Sequence, residues 1–544
     1  MTERNHDARE QGAGATAPRD HTAPGRLSRR AFVARAAALG LSGAAVSAFL
    51  AACGGSATAT TAAGGAATTA PTTAAGGAAT TAPTTAATTA ATKAATPATG
   101  GAASPVSSPT SAAAASPTSA AAASPAGSPS ATKYDINVAP AVTNADAAKK
   151  YSGQKITYYG DAVHPGDQLD KVVADAFTKA TGIQVNVVPK PQSSTENYAT
   201  YQRFFQAQSP DLDVMMLDVI WPSSFAPHLI DVSSKLGDLA KGIYPSAVQN
   251  DTVDGKLIAL PWFGDFGILY YRTDLMQKYG LSSPPATWDE LETMAKKIAD
   301  GEKAGNSSFS GFVFQGNAYE GLTCDALEWS ASTGGGTWVD QNKKVTIDND
   351  QFAAILKKAQ GWIGTIAPKG VTTYQEADTA NAFVAGNAAF ARNWPYMYAL
   401  AQDPKAPVNG KFDVAALPAS SGQKHVGTLG GWQLGVSKYS KAQDAAIEFV
   451  RYIGGPDVVK WRAIVGTYVP LYTAVAEDPD VIKNQPYLKN LADVERVVRP
   501  SNALGANYNE GSTAIFQGIN QVLTGADPKS QLSQISQRLQ RLLS

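Results

Sequence analysis

From Lys155 onward the chain alternates between two hydrophobic periods. KITYYG, starting at Lys155, is a short apolar run of strand length. QLDKVVADAFTKATG then spaces its apolar positions as an amphipathic helix does and stops on Gly182. IQVNVVP returns to strand character, so the order strand, helix, strand predicts a parallel pair joined by a crossover. NYATYQRFFQAQ predicts a further helix and DVMMLDV a short, wholly apolar strand. In DTVDGKLIALPWF the dipeptide Asp254-Gly255 separates two extended segments and predicts a hairpin. ATWDELETMAKKI sets Thr287 three residues before Glu290 as a capping box, with Trp288, Leu291, Met294, Ala295 and Ile298 along one stripe. SKAQDAAIEFVRYIGG gathers Ala446, Ile447, Val450 and Ile453 on one face before glycine stops it, and QLSQISQRLQRLL predicts a last helix. Strands and helices interleave throughout, which is the signature of α/β architecture, and this part of the chain is long enough for two α/β lobes.

The residues before this body have a different character. RLSRRAFVARAAALGLSGAAVSAFLAAC runs from basic to apolar to small residues ahead of Cys53 and predicts an export signal over residues 1–52. Arg29 and Arg30, in SRRAF, resemble a twin-arginine signal, the alternative being an ordinary basic region for the general secretory route. Leu50-Ala51-Ala52-Cys53 resembles a lipobox, which makes Cys53 the expected lipidation site and membrane tether. Residues 53–132 then read as a linker. Between Gly54 and Thr132 the only charged residue is Lys93, and AAGGAATTAPTT and SPTSAAAA each recur without the large apolar residues a core requires. A coil of that length spans roughly 50 Å, longer where proline stiffens it. Cys324 is left alone, so no disulfide within the chain is expected.

Charge and motifs narrow the chemistry. Lys plus Arg and Asp plus Glu both total 45 in 544 residues, which gives no global field for nucleic acid and favours an uncharged partner. The chain has no phosphate-binding G-x-x-x-x-G-K-S/T loop, no G-x-S-x-G elbow and no H-E-x-x-H pair. His164, His228 and His425 stand far apart, so neither a metal nor a cofactor is expected, and the protein reads as a non-enzyme. What remains is aromatic and carboxylate residues near strand ends. Carboxylates and guanidinium groups pair with neighbouring hydroxyls, and aromatic rings stack on the C–H face of a pyranose. In YEGLTCDALEW, Glu320, Asp325 and Glu328 fit either a cleft or an exposed, capping or structural face, and Cys324 reads as a buried small residue.

SPDLDVMMLDVIWP, KLIALPWFGDFGILYYRTDLMQKYG, PPATWDELETMAKKI, FQGNAYEGLTCDALEW, GNAAFARNWPYMYAL and TLGGWQLGVSKYS, in that order, resemble the extracytoplasmic solute-binding proteins of ABC importers, the trehalose/maltose-binding branch above all. The resemblance implies a two-lobed periplasmic-binding-protein fold of type II (a Venus flytrap) over residues 133–544. One lobe is expected at about 151–262 and 420–470, the other at about 266–415 and 475–544, with a hinge between them. It also implies a di- or oligosaccharide ligand, ABC permease subunits as partners, and a monomer tethered by lipid on the outer side of the cell membrane. By motif, Asp218 and Asp265 would hold sugar hydroxyls, Trp394, Tyr396 and Trp432 would stack on the rings, Gly431 would let backbone approach, and Arg499 would donate. Trp262 and Phe263 stand where relatives often carry tyrosine, so a hydroxyl contact there is lost or becomes stacking. GDAVHPGDQ offers both Asp161 and Asp167 as an acidic contact with no alignment between them, and Asp167 is the candidate. Another small solute, such as glycerol phosphate, a polyamine or a metal chelate, is the alternative within the class. A glycoside hydrolase using Asp218 and Asp265, or a wall-binding adhesin on a stalk, lies outside it.

Overall fold

Strand β1 (Lys155–Gly160) alternates half-exposed and buried side chains, and the helix Gly166–Thr181 carries the chain back beside it. That helix ends where Gly182 adopts φ 78°, a left-handed conformation that glycine takes without a Cβ penalty. The computed structural model describes residues 134–340 and 342–544; the export signal, the Cys53 lipobox, the Arg29-Arg30 pair and the linker lie outside them. Strand β2 (Gln184–Pro189) pairs parallel to β1 in the register Lys155 to Gln184, and β3 (Val214–Asp218) pairs parallel on its other side. The predicted hairpin forms from β4 (Thr252–Val253) and β5 (Lys256–Leu257), with Asp254 and Gly255 both at positive φ in the turn.

The next strand, β6 (Leu260–Phe266), belongs to the same sheet as β1, and β7 (Ile268–Arg272) follows one residue later in another. The second sheet is completed by β8 (Ser310–Val313), β9 (Ala388–Asn393) and β10 (Phe412–Ala415), in the order β10-β7-β9-β8. The chain returns through β11 (Val426–Val436), followed by β12 (Val469–Pro470) and β13 (Glu495–Val497). The first sheet runs β12-β6-β11-β3-β1-β2, with β13 also on β11. The chain thus forms two α/β lobes, each on its own sheet. Residues 495–497, expected with the second lobe, pair instead with the start of β11, where the chain passes between sheets.

Both faces of the sheets are covered. On β3, Val214 and Met216 enter one apolar cluster while Met215 and Leu217 enter another, so its first four positions all read as apolar. The capping box is present: Thr287 Oγ1 accepts from Glu290 N–H at 3.2 Å, and Glu290 Oε2 accepts from Thr287 N–H at 3.1 Å. The last helix starts earlier than its apolar stripe, at Pro528, because Asp527 caps it through Ser530 N–H at 2.8 Å.

The crossing between lobes is narrow at Gly267. A Cβ there would come within 1.9 Å of Glu328 Oε1, and one on Gly427 within 2.7 Å of the Gly267 carbonyl oxygen. Two bare backbones therefore lie against one another where the sheets meet, in the place a hinge requires.

Candidate functional site

Three parallel strands end on one edge of the first sheet, and the residue at or just after each end is polar: Asp161 after β1, Lys190 after β2 and Asp218 closing β3. Open α/β sheets offer such carboxyl ends to ligands. Here they form one wall of a cleft of about 750 Å³, open mouth included. Phe263 and Asp265 of β6 and Gly430, Gly431 and Trp432 of β11 continue that wall. Glu320, Gly321 and Cys324 from the start of the helix Glu320–Ala331, with Glu376, Trp394 and Tyr396, face them from the second lobe.

Arg499 joins the two walls. Its Nη2 donates to Asp218 Oδ1 at 2.8 Å and its Nη1 to Glu320 Oε1 at 2.9 Å, all three side chains being buried. Ser194 Oγ donates to the other Asp218 oxygen at 2.8 Å, while Glu320 Oε2 accepts from Ser512 Oγ at 2.7 Å and Oε1 from Tyr508 OH. Burial pushes the Glu320 carboxyl upward, and the Arg499 charge pulls against it. Burial likewise raises the Cys324 thiol, which makes it a poor nucleophile.

Trp394 is fixed by its neighbours. Asn393 Oδ1 accepts from its backbone N–H at 2.7 Å, Tyr270 OH donates to its carbonyl at 2.9 Å, and the Arg392 guanidinium lies 4.0 Å from its ring centre. Trp432 sits at a register irregularity of β11, edge-on to Trp221 at 5.8 Å. Gly431 beside it has φ 122°, and a Cβ would meet the Phe263 carbonyl oxygen at 2.4 Å, so a side chain there has neither conformation nor space.

Asp265 is an acid that the fold leaves short of donors. It is buried, and its Oδ1 has no hydrogen-bond partner among the described residues. Burial first, then the like charge of Asp161, hold its carboxyl well above the usual range, against the pull of Arg392. The folded state therefore binds this proton more tightly than the unfolded chain, so stability is lost as pH rises through the raised value. Replacing Asp265 with Asn is expected to raise the melting temperature at pH 8 and leave it nearly unchanged at pH 4. Thermal melts at both values check this, and a fall at pH 8 would mean that the carboxylate is paired in the fold.

Of the residues proposed from sequence, Asp218, Phe263, Asp265, Trp394, Tyr396, Gly431, Trp432 and Arg499 come together in this cleft. Trp262 does not. Side chains alternate along β6, so Phe263 and Asp265 face the cleft while Trp262 turns into the core, where its Nε1 donates to the Ile453 carbonyl at 3.0 Å under the Arg462 guanidinium. Asp167 also stays outside. It lies in the first turn of its helix, a favourable place for a negative charge, with Oδ1 3.1 Å from His164 Nδ1. Asp161 takes the position in its stead. Backbone N–H groups of Ala162 and Val163 donate to its Oδ1 at 2.9 and 3.2 Å, and Tyr468 OH donates to Oδ2 at 3.0 Å. Lys190, Glu376 and Tyr468 were not anticipated. The end of a predicted strand marks Lys190, whereas no local pattern marks the other two.

Residues 160–460 match the family described as bacterial extracellular solute-binding protein. A probable ABC transporter-binding protein of Deinococcus radiodurans is 47% identical over 381 residues, covering 70% of this chain and 91% of the relative. The maltose-bound MalE3 of Thermotoga maritima superposes with TM-score 0.68 at 37% identity, over 72% of this chain and all (100%) of that one. A solute-binding protein of Thermotoga lettingae bound with α-D-tagatose shares the fold, with TM-score 0.64 at 23% identity over 72% of this chain and 100% of its own. With its two sheets meeting at Gly267 and a cleft lined from both lobes, the chain belongs to the bacterial extracellular solute-binding proteins.

Proposed function

We propose that the chain captures an uncharged di- or oligosaccharide of the maltose or trehalose type and delivers it to the permease subunits of an ABC importer. Cys53 would hold it to the outer side of the cell membrane through lipid. The observation that carries this reading is the pairing, in one cleft, of the indole rings Trp394 and Trp432 with a buried Asp265 oxygen that the protein leaves without a donor. Sugar rings present apolar C–H faces and hydroxyl edges together, and both needs are met here. Asp218, Asp265 and Trp432 come from the first sheet and Glu376 and Trp394 from the second lobe, so a ligand touching both sets favours the closed arrangement over an open one.

Titration calorimetry with maltose and trehalose tests the reading. At least one is expected to bind at or below about 1 μM, near −8 kcal/mol. At a hundredfold excess over Kd that sugar should stabilise the protein by about 2.7 kcal/mol. Heat from neither sugar, nor from longer α-glucosides, would overturn the proposal, and so would release of glucose during the titration.

A further inference from the structure

The ammonium of Lys190 is left over by the fold. The side chain leaves the end of β2 and is 4% exposed, yet its Nζ makes no hydrogen bond among the described residues. It lies 4.1 Å from the centre of the Trp432 ring and 3.8 Å from Asp161 Oδ1, beyond hydrogen-bond length. Asp161 cannot easily move closer, since two backbone N–H groups and Tyr468 hold it. An ammonium has three donors, and the fold gives this one no acceptor at hydrogen-bond length among the described residues. Both groups line the cleft.

We propose that Lys190 and Asp161 together read one hydroxyl of the saccharide ring that lies against Trp432, the hydroxyl accepting from Lys190 Nζ and donating to Asp161 Oδ1. An oxygen about 2.8 Å from each atom spans the gap between them. Only a group that is donor and acceptor at once satisfies both sides. A protonated amine would have nothing to accept with, and a carboxylate or phosphate oxygen nothing to donate. An anion would also meet Asp161 and Glu376 in the same cleft, where acidic side chains outnumber basic ones. The inference rests on the saccharide reading above and makes Lys190 a determinant of which hydroxyls that ligand must carry.

Calorimetry on wild type and Lys190→Met decides it, with whichever of maltose and trehalose binds more tightly and with the monodeoxy analogues of that sugar. Asp161 keeps two backbone N–H donors and Tyr468 when the cation goes, so K190M is expected to stay folded with at most a modest fall in melting temperature, and to lose about 10- to 100-fold in affinity. One monodeoxy analogue should bind wild type more weakly by a similar factor and bind K190M no more weakly than the parent sugar does. Lys190→Gln keeps a donor without the charge, should lose less, and serves if K190M folds poorly. Unchanged or tighter binding by K190M would show that the ammonium only fills the empty cleft and would overturn the proposal, as would losses that simply add for every analogue. Silence of wild type toward both sugars would instead sink the saccharide reading on which it rests.

Discussion

Replacing Arg499 with methionine is expected to destabilise the protein by about 3–5 kcal/mol and to abolish measurable sugar binding. The guanidinium lies between Asp218 on one wall and Glu320 on the other, at 2.8 and 2.9 Å, with all three side chains buried. Removing it leaves two acids facing each other without a cation and away from water. The protein must then protonate one of them, admit water or open the cleft. Methionine keeps much of the apolar stem, so the loss reports charge and hydrogen bonding more than a cavity. Lysine at 499 restores a charge without the fork that serves two carboxylates at once, and should fall between the two. Urea unfolding gives the stability term and calorimetry with maltose gives the binding term. A change under about 1 kcal/mol would mean that neither acid depends on the guanidinium in the fold.

Residues from β6 show where sequence reading reaches and where it stops. WFGDFG marks the strand that carries the site, and Asp265 lies in the cleft as the resemblance implies. Which of Trp262 and Phe263 accompanies it depends on the parity of a strand buried on both faces, and an all-apolar run carries no parity signal. Asp161 and Asp167 differ in another way. Both flank the turn into the same helix, and only the path of that turn decides that one faces the cleft and the other solvent. The hairpin at Asp254-Gly255 and the capping box at Thr287 were legible because their causes are local. The helix Glu320–Ala331 was not. Buried from Glu320 to Ser330, it presents no solvent face from which periodicity can be read, and its acids look like surface residues until their partners, Arg499 and Arg392, arrive from far along the chain.

Arg392→Met should cost a similar amount, about 3–5 kcal/mol, for a reason seated at the crossing between lobes. Arg392 donates to Glu328 through Nη2 at 2.6 Å and Nε at 2.9 Å, lies 3.0 Å from Asp325, and reaches Gln315 Oε1 at 3.1 Å. Glu328 Oε1 also accepts from the Thr428 backbone N–H of β11 at 3.0 Å, beside the abutting glycines Gly267 and Gly427. One buried cation therefore ties β9, the helix Glu320–Ala331 and a crossing strand together, while its flat face supports the Trp394 ring. Removing both acids along with the cation separates these roles. The triple variant D325N/E328Q/R392M has no orphaned charge and should recover most of the lost stability, since a buried ion cluster replaced as a whole is often close to neutral. It has no guanidinium behind Trp394, so its affinity for maltose should stay about 10-fold or more below wild type. If maltose affinity returned along with stability, Trp394 would be held well enough by Asn393, Tyr270 and Glu376, and the link from the lobe crossing to that ring would be absent.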